Sequence, residues 1–268
     1  MLGNAKNKSV KIGNTSMAYA EFGTGKKSLI MIPGLGDGLR TDQKLAHMYA
    51  LLYRKFAKGY KVYVFSQKKE IPDRYSTKKM AADIRAAMNI LHIEKADVIG
   101  VSLGGMIAQH LAADYPEVID KLVLVVTSAR RNQYIQAAIS GWIEMAKRGD
   151  YRKLMLDSMK KMYTKDYLQK NRWAVKLAGK FGKPKSYERF IIMGKACIYH
   201  DAYEKLDKIQ AETLIIGGEL DRTVGSKASY ELAGKIKNST LKMYPHYGHA
   251  LYDEAKDFNQ IVVEFLQK

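Results

Sequence analysis

The feature that most constrains this chain is an alternation, sustained over most of its length, between short apolar runs and stretches whose apolar residues recur at helical spacing. Residues 9–12 and 17–22 read as a hairpin turning at Gly13-Asn14, and residues 28–32 as a buried strand stopping at Pro33-Gly34. A helix is expected over 42–56, then a strand over 60–65, whose Tyr-Lys-Val-Tyr-Val-Phe is rich in β-branched and aromatic side chains. Met80, Ile84, Ala87, Met88 and Leu91 share one helical face. A strand at 97–101, a helix at 104–115 and the most apolar strand, 121–126, follow. After a long interruption the pattern resumes with a strand at 213–216, a helix at 227–236 and a strand at 240–244. In the closing helix Phe258, Ile261, Val262 and Phe265 fall at i, i+3, i+4 and i+7. Strand and helix in strict turn predict an α/β fold, a mostly parallel, doubly wound sheet covered by helices on both faces.

The interruption, residues 128–206, is helical in pattern and carries no convincing strand; Gly141, Gly149, Gly179, Gly182 and Pro184 punctuate it. The expected organisation is a core made of 1–127 and 207–268, with 128–206 as a helical insert looping onto the face where the strands end. The insert holds 18 Lys/Arg against 7 Asp/Glu, in a chain of formal net charge +18. Its basic residues are mostly lysines at helical spacing (Lys160, Lys161, Lys165, Lys170, Lys176, Lys180), with no arginine-rich block and no interleaved aromatic platform. A solvated helical face is expected, a preference for anionic substrates is the alternative, and no nucleic-acid partner is expected. No run approaches the roughly 18 apolar residues of a membrane span. The polar, lysine-rich residues 1–10 do not read as a secretory signal. Cys197 is the only cysteine, which excludes an intrachain disulfide and fits a reducing, cytoplasmic setting.

The chemistry is concentrated at Gly100-Val101-Ser102-Leu103-Gly104, a G-x-S-x-G that follows an apolar strand and opens a helix. A strand-turn-helix this tight needs small residues beside the serine. It would lift the hydroxyl out of the sheet beside a helix N-terminus, where N–H groups favour developing negative charge. Serine is a weak nucleophile and needs a base. His47, His92, His110, His200 and His246 have ordinary helical, insert or turn readings. His249 differs, because it lies in the loop after the strand 240–244, on the same sheet edge as Ser102. Asp221, in the loop after the strand 213–216, is the candidate to orient the imidazole, with Glu219 as its competitor. Oxyanion donors are expected from the backbone N–H groups of Leu103 and Leu35. The glycines at 34, 36 and 38 miss the dinucleotide spacing, since Leu39 stands where the last glycine should be. No cysteine pair and no His-Glu-x-x-His suggests a metal site.

These residues together resemble the α/β-hydrolase fold superfamily, especially its small serine hydrolases with a helical cap. The resemblance runs from about residue 9 to the end. It is strongest at Gly-Val-Ser-Leu-Gly-Gly (100–105), Gly-Gly-Glu-Leu-Asp (217–221) and Tyr-Gly-His (247–249), and the chain order Ser, Asp, His is the family's. It implies a sheet of about eight strands, an insert acting as a lid, and no cofactor. Two departures stand out. Many relatives carry His-Gly where this chain has Pro33-Gly34, and Asp-x-Arg-Gly-x-Gly where it has Ser66-Gln67-Lys68-Lys69-Glu70. The expected activity is cleavage of a small carboxylic ester or related acyl substrate through an acyl-enzyme. Lactone, thioester, carbon–carbon or cofactor-free peroxidase chemistry are alternatives on the same scaffold, ligand binding without turnover is the alternative from another class, and electrostatic association of the basic insert with nucleic acid or anionic lipid is a third option. Trp142, Trp173, Phe181, Phe190 and several methionines of the insert are candidates to line an apolar acyl site.

Overall fold

The computed structural model describes residues 4–39 and 45–268. Among them eight strands form one sheet: β1 (Lys6–Ile12), β2 (Thr15–Phe22), β3 (Lys27–Ile32), β4 (Tyr60–Lys68), β5 (Ala96–Val101), β6 (Ile119–Val125), β7 (Glu212–Gly218) and β8 (Ser239–Tyr244). Their spatial order is β1-β2-β4-β3-β5-β6-β7-β8. The first hairpin pairs antiparallel, as does β2 with β4, and every pairing beyond that is parallel. The helices α1 (Ala46–Leu52), α2 (Thr77–Ile90) and α3 (Leu103–Asp114) connect the strands up to β6. Between β6 and β7 lie α4 (Gln133–Lys147), α5 (Tyr151–Met162), α6 (Lys165–Lys170), α7 (Arg172–Leu177) and α8 (Glu188–Ile198). The last third adds α9 (Lys227–Lys235), α10 (Leu251–Glu254) and α11 (Phe258–Gln267).

The unbroken apolar runs of the central strands follow from burial on both faces, because successive side chains of a strand point to opposite sides. Leu29 and Met31 of β3, Val62 and Val64 of β4, and Val123 and Val125 of β6 join one core with α1 and α11. The intervening Ile30, Ile32, Tyr63, Phe65, Leu122 and Leu124 join the opposite core with α2 and α3. In α2 the apolar face read from sequence is the buried one, and the Ser76 hydroxyl caps its N-terminus by accepting from the Lys79 N–H.

Several boundaries differ from expectation. Of the helix expected over 42–56, residues 42–44 lie outside the described residues, α1 covers Ala46–Leu52, and the chain then turns. The strand expected over 213–216 continues through Gly217 and Gly218, which pair with Met243 and Tyr244 of β8. The four-residue α10 has too little periodicity to be read in advance.

The position of β3 matters for function. It lies between β4 and β5, so successive connections leave it in opposite directions. At such a switch point the loops beyond the strand ends diverge and leave a crevice. The loops after β3 and β5 carry Pro33–Leu39 and Ser102.

Candidate active site

Ser102 sits between β5 and α3 with φ 54°, a left-handed conformation that costs a non-glycine residue energy. The surroundings enforce it. Its N–H donates to the Val125 carbonyl at 2.9 Å, and its carbonyl accepts from the Thr127 hydroxyl at 2.8 Å. The flanking glycines are needed for close approach. A Cβ on Gly100 would lie 2.5 Å from the Gly104 carbonyl oxygen, and one on Gly104 would lie 1.9 Å from that of Ile32. The motif therefore wedges the turn between two strands of the sheet.

The two partners expected for the serine arrive from distant loops. His249 Nε2 lies 3.0 Å from Ser102 Oγ, and its Nδ1 lies 2.8 Å from Asp221 Oδ2. The other carboxylate oxygen of Asp221 accepts the N–H groups of Thr223 at 2.7 Å and Val224 at 2.9 Å, which aims the free oxygen at the ring. Both residues are nearly sealed from water, Asp221 at 5% and His249 at 3% exposure. With its proton on Nδ1, donated to Asp221, the imidazole presents the Nε2 lone pair to the serine hydroxyl. Such a chain can take a proton from the hydroxyl while the carboxylate stabilises the resulting cation. Glu219 is exposed and accepts from the Tyr230 hydroxyl, so it does not compete for the imidazole.

Leu35 opens a short 3-10 turn (Leu35–Leu39) and Leu103 opens α3, and the first N–H of a helical turn has no acceptor within it. Gly34 brings the first loop against the serine, since a Cβ there would lie 3.4 Å from that of Ser102. A polar cluster not foreseen from sequence holds this loop. Asp37 Oδ1 accepts from the Ser66 hydroxyl at 2.6 Å, while Oδ2 accepts from the Gln67 N–H at 3.1 Å and from Arg189 Nη2 at 2.6 Å. Arg189, at the start of α8, also donates to the carbonyls of Gln67 at 2.9 Å and Lys68 at 2.6 Å. Ser66, Gln67 and Lys68 at the end of β4, where the chain departs from the relatives' pattern, are thus those that tie α8 to the first loop. Asp37 and Arg189 stand 152 positions apart, so only the departure itself could have drawn attention to them.

Ser102 and His249 open on a cavity of about 480 Å³, closed on its other side by Trp142, Met155, Met159, Met162 and Phe190 of the inter-strand helices. Trp142 and Phe190 therefore lie where the sequence placed them. Trp173 and Phe181 do not: Trp173, on the short α7 that buries no residue, and Phe181, on the turn beyond it, are 67% and 75% exposed and away from the cavity wall. The Tyr163 hydroxyl donates to Asp253 at 2.7 Å at the cavity edge, and burial raises the Asp253 carboxyl above its usual range. The same helices grip the loop that follows His249: the Met162 carbonyl accepts from the Ala250 N–H at 2.9 Å, and Glu254 accepts the Thr164 N–H at 3.0 Å.

Other reactive groups are unsuited to catalysis. His110 and His200 meet edge to face at 5.3 Å in the core, where burial pushes them down to about 4 and about 3. Burial pushes the Cys197 thiol up to about 12. Among the described residues no three His, Cys, Asp or Glu side chains gather as a metal site would need.

Comparison with known proteins agrees with this architecture. Over 264 residues the chain is 27% identical to a 2-hydroxy-6-oxononadienedioate/2-hydroxy-6-oxononatrienedioate hydrolase of Pseudomonas putida, covering 93% of this chain and 91% of that protein. Its fold superposes on the enol-lactonase of Burkholderia xenovorans LB400 with a TM-score of 0.84 at 19% identity, covering 97% and 100% of the two chains. A meta-cleavage product hydrolase from Pseudomonas fluorescens IP01, solved as a serine-to-alanine mutant complexed with acetates, gives 0.80 at 24% identity and covers 97% of each. Residues 27–256 match the α/β hydrolase fold family, and with the sheet order and the crevice at its switch point they establish that the chain belongs to that family.

Proposed function

We propose that this hydrolase cleaves a small carboxylic ester, or a related acyl substrate, with Ser102 as nucleophile, His249 as general base and Asp221 as the residue that orients it. The observation that carries this reading is the unbroken hydrogen-bonded path from Asp221 through His249 to Ser102, ending at the mouth of an apolar cavity. Ser102 Oγ attacks the substrate carbonyl as its proton passes to His249 Nε2. The N–H groups of Leu35 and Leu103 receive the oxyanion. The protonated imidazole then gives its proton to the leaving alcohol, and water, activated by the same imidazole, releases the acid. The segment 128–206 serves as the cap over the core formed by 1–127 and 207–268, and its methionines give the cavity an adaptable wall for an acyl group. The reaction needs no cofactor. The solitary buried Cys197 suits a reducing, cytoplasmic setting.

A second reading has a specific observation in its favour. Five relatives that each match more than nine tenths of this chain are named as 2-hydroxy-6-oxononadienedioate/2-hydroxy-6-oxononatrienedioate hydrolases, so carbon–carbon cleavage on the same residues is the alternative. A fluorophosphonate probe tests what the readings share. It should label the wild-type chain at Ser102 and leave Ser102→Ala unlabelled; an unlabelled wild type ends both. Rates on p-nitrophenyl esters and on a 2-hydroxy-6-oxo dienoate, measured side by side, then choose between them.

A further inference from the structure

The stretch from α6 to the start of α8 contributes almost nothing to either core. Neither α6 nor α7 buries a residue. Yet it carries three large apolar side chains in the open: Trp173 at 67%, Leu177 at 44% and Phe181 at 75% exposure. They recur every fourth residue, two on α7 and the third on the turn beyond it. The turn is a built feature and not a loose end. Gly179 (φ 70°) presses against α5, where a Cβ would lie 2.4 Å from the Arg152 Cα, and Pro184 is buried. Around these side chains residues 165–185 hold Lys165, Lys170, Arg172, Lys176, Lys180, Lys183 and Lys185 against the single Asp166. All seven basic residues are exposed, and none is ion-paired with a described carboxylate.

We infer that the α6–α7 segment is an interfacial docking element, which seats the protein on a lipid surface rich in anionic headgroups with Trp173, Leu177 and Phe181 entering the headgroup–acyl boundary. Apolar side chains of this size, rimmed by lysines and left without a protein partner, have the composition of a helix that lies in a membrane interface. Lysine stems bury alongside the apolar groups while their ammonium heads stay at headgroup level. Single-stranded nucleic acid fits less well. Leu177, between the two aromatics, offers no stacking face, and the charge is six lysines to one arginine, whereas guanidinium groups suit phosphate and base recognition better. No described helix is long and apolar enough to cross a membrane, so the association is peripheral. It is independent of the chemistry at Ser102.

The two tryptophans make the test direct, because Trp142 is 5% exposed and Trp173 is open. The intact chain is mixed with vesicles of phosphatidylcholine alone, or of phosphatidylcholine with about 30% phosphatidylglycerol. Co-flotation and tryptophan emission are recorded, with lipids brominated near the headgroup as quenchers. The expected result is flotation with the anionic vesicles only, a blue shift, and quenching of Trp173. The triple variant Trp173→Ser, Leu177→Ser, Phe181→Ser should partition roughly tenfold or more weakly while hydrolysing a soluble ester at the wild-type rate. Any of four results overturns the inference: no flotation, equal flotation with neutral vesicles, flotation without a shift or quenching of Trp173, or tighter retention by single-stranded DNA than by anionic vesicles. Since the spectral readout uses the unaltered chain, it decides the matter even if the variant is unstable.

Discussion

The edge of the sheet and the helices facing it across the cavity are built differently. At the edge, Ser102 and Asp221 are held by buried backbone donors and acceptors, Asp221 in turn holds His249, and glycines let strand and helix approach until a single added carbon would collide. Across the cavity, α5 buries Leu154 alone, and α6 and α7 bury nothing. By contrast α4 and α8 join the larger core, with α8 tied to the first loop through Arg189 on Asp37, while α5–α7 are held chiefly by the contacts of 162–164 with the segment after His249. The contrast teaches that the geometry around Ser102 is over-determined by the sheet, whereas the α5–α7 stretch has latitude to vary in shape and surface while its anchors hold.

The largest expected effect lies at the edge. Ser102→Ala and His249→Ala should each lower kcat on a p-nitrophenyl ester by at least about 10⁴-fold, and Asp221→Asn by about 10⁴-fold; a loss below tenfold in any of them would break the assigned roles. Next comes a matched pair of glycines. Gly104→Ala places a carbon 1.9 Å from a backbone oxygen and should cost more than about 3 kcal/mol, read as loss of soluble protein or of thermal stability. Gly141→Ala, within α4 and with open space around it, should instead stabilise by about 0.5–1 kcal/mol. Equal effects at the two sites would erase the contrast between the regions.

The anchor comes third. Asp37→Asn leaves the Arg189 guanidinium, 16% exposed, without its carboxylate, and should cost about 1–3 kcal/mol. Because Asp37 also holds the turn that presents the Leu35 N–H, kcat should fall with little change in KM. A variant that lost stability but kept kcat would show that the anchor does not reach the chemistry.

The smallest effect concerns acid. His110 and His200 titrate at about 4 and about 3 when folded, below the histidine value of about 6.5 expected when unfolded. The unfolded chain therefore binds more protons between these values, and stability falls as pH drops from about 6.5 towards 4. Asp97 and Asp253, raised by burial, pull the other way. The difference is read cleanly in His110→Phe, since His110 Nδ1 has no described partner. Its melting temperature should fall less than wild type's between pH 7 and 5, and parallel profiles would exclude the imidazole as the cause.

What could be read in advance follows from local physics. Periodicity reports which face of a segment is covered, so α2, α3, α11 and the central strands were legible, and a strand-turn-helix around Ser102 has so few steric solutions that its glycines announce it. The likeness of Gly217–Asp221 and Tyr247–His249 to a known pattern pointed to Asp221 and His249, which the fold brings within hydrogen-bond distance of each other and of Ser102. The serine and the imidazole are 147 residues apart, however, and only the folded sheet brings them to 3.0 Å. Burial in the insert was not legible for the same reason. Trp142 and Trp173 both sit on helical stretches between β6 and β7, yet one lines the cavity and the other faces solvent. Which neighbour covers a side chain is a property of packing between distant segments. Local sequence therefore determined the sheet, its connections and the sharp turn at the serine. The tertiary structure alone decided the Asp37–Arg189 anchor, the cavity wall and the apolar side chains left outside.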